Sequence, residues 1–196
     1  MDLMTFTIGF EQRNCRGEQV CGDAVAIERN DEAGMTHIAV VDGLGHGEAA
    51  NAAAMAFVEY FREHMTPDMA LVDMLQKVSR AIERTRGVAA SVIRLDGVNR
   101  QMQYAGVGNV ELSAVSASPI RPISKPGIVG RRMGRLMLFE YALHPGDLLA
   151  VFTDGISSRF NLESMRNLEL SALCRELMSQ WGKDHDDATV VTIRCN

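Results

Sequence analysis

The chain has 196 residues, 46% of them apolar and 23% charged, with a formal net charge of −5. That length suits one domain, residues 1–196, with a sizeable core, and the near-balanced charge argues against a disordered acidic tail or a broad nucleic-acid footprint. With no run of 18 apolar residues and no basic-then-apolar leader, a cytoplasmic protein without a membrane span is expected.

In chain order, three short strands are predicted first, over Thr5 to Arg13, Asp23 to Arg29 and Thr36 to Val41, separated by Gly- and Asn-containing turns. Consecutive strands with short turns suggest antiparallel neighbours. From Glu48 an alanine-rich run favours helix, ending at Thr66-Pro67. A second helix follows to about Thr85, with Leu71, Leu75, Val78 and Ile82 on one face. Then VAASVIRL, RQMQYAGVG and VELSAVS read as a β-meander. Ser116 to Arg135, with three prolines and three glycines, reads as a long surface loop or flap. Leu138 to Leu143 and LLAVFTDG are strands around a tight turn at 144–147, followed by a helix over about Leu162 to Gln180 and a last strand, ATVVTIRC. The scarcity of strand-helix-strand alternation predicts an α+β fold of two sheets faced by helices.

Cys15, Cys21, Cys174 and Cys195 lack zinc-site spacing and are expected to be reduced thiols. Aspartates carry the chemistry instead. Asp42 follows HIAVV, Asp154 follows LLAVFT, Asp186 or Asp187 precedes ATVVTI, and Asp23 opens a strand. Each alone could serve a turn; together, at strand ends, they can converge on one rim. Carboxylates without histidine or thiolate partners suit hard ions such as Mg²⁺ or Mn²⁺. An aspartate shared by two ions would activate a water for attack on phosphorus, and the sequence has no G-x-S-x-G nucleophile elbow to serve instead. In Asp42-Gly43-Leu44-Gly45-His46-Gly47 the glycine after the aspartate is expected to free its carbonyl for a metal. Both phosphate-binding motifs, G-x-x-x-x-G-K-[ST] and G-x-G-x-x-G, are missing there.

Six words in order, Cys21-Gly22-Asp23, Asp42-Gly43-Leu44-Gly45-His46-Gly47, Arg86-Gly87-Val88-Ala89-Ala90-Ser91, Gly106-Val107-Gly108-Asn109-Val110, Thr153-Asp154-Gly155 and Asp186-Asp187-Ala188-Thr189, span nearly the whole chain. In these the chain resembles the PPM-type (type 2C-like) serine/threonine phosphatases, in the bacterial SpoIIE/RsbU branch and nearest its single-domain RsbX-like members. The resemblance implies a four-layer αββα sandwich, two mainly antiparallel sheets flanked by helix pairs, with a two-metal centre at one end. It implies that Asp42 bridges both ions with Gly43 lending its carbonyl, that Asp154 and Asp186 complete the second ion's shell, and that Asp23 serves the first. Asp42 and Asp23 are then the catalytic residues, and Asp187 is left to a turn or supporting role. The implied substrate is phosphoserine or phosphothreonine on a STAS-domain protein of a kinase/STAS partner-switching pathway, with no nucleic acid or membrane partner.

His46 and the loop arginines Arg131, Arg132 and Arg135 are further candidates for gripping phosphate or a phosphoprotein, although a helix-start histidine and a solvated basic loop are equally ordinary. Asn109 reads as a turn residue. The competing function is a catalytically silent binding module of the same fold that sequesters a STAS or kinase partner; retention of all four aspartates argues for the enzyme. A small-molecule phosphatase would call for a closed pocket.

Overall fold

In the computed structural model, which describes residues 3–196, the chain forms nine strands and three α-helices. In order these are β1 (Phe6–Arg13), β2 (Asp23–Asn30), β3 (Met35–Gly43), α1 (Glu48–His64), α2 (Leu71–Ala81), β4 (Val88–Asp96), β5 (Gln101–Val107), β6 (Glu111–Val115), β7 (Phe139–Ala142), β8 (Leu148–Phe152), α3 (Leu170–Trp181) and β9 (Ala188–Cys195), with a 3-10 turn at Leu162–Met165 before α3. All strand pairs within the two sheets are antiparallel; one sheet runs β2-β3-β4-β5-β7 and the other β1-β9-β8-β6.

Alternation along the strands sets the layers, because successive side chains point to opposite faces. Ile38 and Val40 of β3 join Ile93 and Leu95 of β4, Leu149 and Val151 of β8 and Val191 and Ile193 of β9 in the core between the sheets. Their neighbours Ala39, Val41, Ala90 and Val92 face α1 and α2, whereas Leu148, Ala150, Phe152 and Val190 face α3. The result is the expected αββα order. In α1, Ala50, Ala53 and Ala54 are buried with Phe57, Val58 and Phe61, and their small side chains let the helix lie close on the sheet. The predicted face of α2 is buried too: Leu71, Leu75, Val78 and, just past its end, Ile82.

Three expectations are corrected. The first strand does not pair with the second; β1 crosses to the other sheet and pairs with β9 along its length. The meander stops after β5, since β6 pairs with β8. Local turn chemistry cannot reveal either crossover, which satisfies the burial of the far sheet. The helix expected over about 162–180 is split into the 3-10 turn and α3, and Arg194 Nη2 binds the intervening segment by donating to the carbonyl oxygens of Arg166 (2.7 Å) and Leu168 (2.9 Å). One α-helix and a 3-10 turn thus cover this side. The flap expected over Ser116 to Arg135 is without a long strand and is tied to the start of β4 by reciprocal backbone bonds between Val88 and Val129 (3.0 and 2.8 Å). The four cysteines are free, and among the described residues no helix is long and apolar enough to cross a membrane.

Candidate metal centre

Antiparallel register brings the first two aspartates together. Asp23 at the start of β2 lies directly opposite Asp42 near the end of β3. On the other side of β3, Asp42 faces Ala89 of β4, a small residue that leaves room above it. From the second sheet, Asp154 leaves β8 and Asp186 precedes β9. Asp42, Asp154 and Asp186 line one cleft of about 210 Å³ with Leu44, Gly45, His46, Ala89 and Asn109. Asp23 lies beneath it, almost fully buried, and Gly43 ends the strand beside it.

Burial and mutual repulsion set the electrostatics. Burial foremost, then the charges of Asp23, Asp154 and Asp186, push the Asp42 carboxyl up to about 8. Asp23 is pushed up to about 7, again chiefly by burial, with hydrogen bonds from Thr153 and Thr189 opposing the shift. Asp186 is raised by burial and by Asp154. Three donors missed in the sequence reading hold the acids. Thr153 Oγ1 donates to Asp23 Oδ2 at 2.8 Å. Asn109 Nδ2 donates to Asp154 Oδ2 at 2.6 Å, so this residue, expected only to make a turn, is part of the cleft. Lys183 Nζ donates to the Asp154 carbonyl at 2.5 Å. Asn109 and Thr153 lay within the recognised words; nothing in the sequence singled out Lys183.

The other candidates fall in different places. Asp187 is buried and accepts from the Cys15 backbone N–H at 2.8 Å, tying the loop after β1 to the start of β9. His46 borders the cleft, but its Nδ1 lies 2.6 Å from Glu18 Oε1. Arg131 does not line the cleft; its Nε donates to the Arg86 carbonyl at 3.4 Å. Arg132 is exposed on the flap, and Arg135 lines a separate groove with Lys125 and Leu136 to Leu138. The space beside Gly43 is taken by the backbone carbonyls of Ala50 and Gly22, so close approach of α1 is itself a reason for glycine there.

As the side chains stand, no three acidic, imidazole or thiol groups among the described residues close on a common point; Asp23 is turned to Thr153 and Asp154 to Asn109. The donor set nevertheless fits a hard divalent cation, because its groups are carboxylate and carbonyl oxygens whose mutual repulsion a cation would relieve.

The family model described as Stage II sporulation protein E (SpoIIE) matches residues 32–196. The chain belongs to the SpoIIE family. It is therefore a PPM-type serine/threonine phosphatase domain. Phosphoserine phosphatase RsbX of Bacillus subtilis (strain 168) is 26% identical over 148 residues, 74% of this chain and 72% of that protein. A solved chain from the bacterial stressosome, a modular system adapted to control secondary messenger signalling, superposes with a TM-score of 0.91 at 31% identity, over 97% of this SpoIIE-family chain and 100% of its own. RsbX in complex with magnesium superposes with a TM-score of 0.84 at 22% identity, over 97% and 96% of the two chains, and shares the αββα fold.

Proposed function

We propose that this SpoIIE-family domain, acting as one unit over residues 1–196, hydrolyses phosphoserine or phosphothreonine on a STAS-domain regulator in a cytoplasmic kinase/STAS partner-switching module. The observation that carries the reading is the approach of carboxylates from both sheets, Asp23 and Asp42 from one and Asp154 and Asp186 from the other, to one end of the sandwich. In the proposed ligand set Asp42 would be shared by two ions, Mn²⁺ or Mg²⁺, Gly43 would lend its carbonyl oxygen, Asp154 and Asp186 would hold one ion, and Asp23 would serve the other. When bound, the ions supply an acidified water and offset charge on the phosphoryl oxygens.

The chain's own residues prepare this centre. Thr153 holds one Asp23 oxygen and Asn109 one of Asp154, which limits the orientations those carboxylates adopt. The cleft, about 210 Å³, is smaller than the roughly 300–1,000 Å³ that encloses a small-molecule ligand, so it suits a phosphorylated side chain presented by a protein. The name of the Bacillus relative and the stressosome origin of the similar structure support phosphoprotein chemistry in a STAS setting.

The test is release of phosphate from a phosphoserine STAS protein by the purified chain, with Mn²⁺ and then with the metal chelated. Release only with Mn²⁺ is expected. Stable binding of the STAS protein without turnover would instead make the chain a sequestering module.

A further inference from the structure

A cleft walled by carboxylates repels a phosphate dianion until counter-charge is supplied, and cations of the chain able to reach the anion bear on how phosphate is held. Most nearby cationic side chains are committed elsewhere. Arg13 Nη2 is buried and, without a hydrogen bond, lies 3.4 Å from Asp184 Oδ1, His46 faces Glu18, and Lys183 Nζ is held by the Asp154 carbonyl. Arg86, just before β4, differs. A Cβ built on Gly45, in the cleft wall, would stand 3.1 Å from Arg86 Nη1, so the guanidinium lies against that wall. It is exposed, and among the described residues it has neither an ion pair nor a hydrogen bond.

Its backbone, by contrast, is held. The Arg86 carbonyl accepts from Arg131 Nε of the flap at 3.4 Å. The Gly87 carbonyl accepts from the Leu44 N–H at 3.1 Å, strapping this corner to the turn that follows Asp42. A fixed base with a free, planar fork of N–H donors suits bidentate capture of phosphoryl oxygens.

We propose that Arg86 binds the phosphoryl group of the substrate, and the inorganic phosphate product, at the Gly45 wall of the cleft. This rests on the phosphatase reading above, but it is tested separately. Calorimetry of the Mn²⁺-loaded chain with inorganic phosphate measures binding without turnover. Arg86→Ala is expected to weaken phosphate binding roughly tenfold to a hundredfold, the scale of losing charge-assisted hydrogen bonds, with Mn²⁺ affinity and thermal midpoint unchanged. Arg86→Lys, which keeps the charge and loses the fork, should recover part of the loss. KM for p-nitrophenyl phosphate should rise in step. A wild-type chain that does not bind phosphate, an unchanged phosphate affinity in Arg86→Ala, or a loss matched by weaker Mn²⁺ binding overturns the assignment. Absence of turnover in a wild-type chain that still binds phosphate counts against the phosphatase reading and not against Arg86.

Discussion

The hydroxyl of Thr153, at the end of β8, donates a 2.8 Å hydrogen bond to Asp23 Oδ2 at the start of β2, joining the two sheets beneath the cleft. Thr153 Oγ1 in turn accepts from the Thr189 N–H at 3.0 Å. Thr153→Val keeps the shape and removes both bonds in a site closed to water. The loss should cost about 1–3 kcal/mol, the range for stranding buried polar groups, read as a lower urea midpoint. Without that donor Asp23 also becomes harder to ionise, so the variant should need more Mn²⁺ for half-maximal turnover. An unchanged Mn²⁺ requirement would confine Thr153 to folding.

Asp42→Asn separates function from stability. Burial and the charges of Asp23, Asp154 and Asp186 push the Asp42 carboxyl up to about 8, so ionising it in the folded chain is costly, and a neutral amide removes that cost. In chelator at pH 8 the variant should therefore melt above the wild type, yet lose at least about a hundredfold in Mn²⁺-dependent turnover, beyond the roughly 10–100-fold typical of residues that only support a ligand. Asp154→Asn should lose turnover similarly with its fold intact. Full activity in either purified variant would remove that residue from the metal centre.

The raised carboxyls also give the metal-free chain a pH dependence of definite sign. Asp23 and Asp42 titrate near 7 and 8 when folded, against an ordinary value of 3.8. Between those limits the unfolded chain has released protons that the native chain retains. Their contribution to stability is complete below about pH 4 and is lost as pH rises through about 7 to 8. Divalent cations favour the ionised native form and oppose the loss. The thermal midpoint in chelator should fall from pH 5 to pH 8, and the gap between chelator and Mn²⁺ should widen over the same range. A gap that stays constant with pH would detach these carboxylates from the metal response.

The aspartates were legible in the sequence because each stands at the border of an apolar run, and a strand that ends at a turn delivers its last side chain to the rim of a sheet. The flap was legible from its prolines and glycines. The partners of β1 and β6 were not, since a strand's own pattern shows that it has two buried faces without saying which sheet supplies its neighbour. Asn109 and Thr153 escaped for a related reason: each acts by a hydrogen bond to a residue far along the chain, Asp154 and Asp23, and residue type alone does not reveal such a bond. Arg86 was quoted in the sequence only as part of a motif; its exposure and lack of a partner became visible with the turn at Gly45 beside it.

Two glycines next to the acids test whether the centre depends on backbone packing. A Cβ on Gly155 would fall onto the Asp187 carbonyl, and one on Gly43 onto the Ala50 carbonyl of α1. Both obstacles are main chain, which cannot swing aside as a flexible side chain can. Gly155→Ala and Gly43→Ala should each cost about 1–3 kcal/mol, as overpacking does, and should misplace Asp154 and Asp42, respectively, in the cleft they share. Gly134, in the flap, is the control, because the nearest atom to its added Cβ is the Pro126 carbonyl at 3.5 Å, an ordinary contact. Gly134→Ala should melt within error of the wild type. The first two variants should lose both thermal midpoint and Mn²⁺ affinity. A variant at Gly155 or Gly43 that keeps its Mn²⁺ affinity while losing stability would show that the aspartates hold their geometry independently of the turns that carry them.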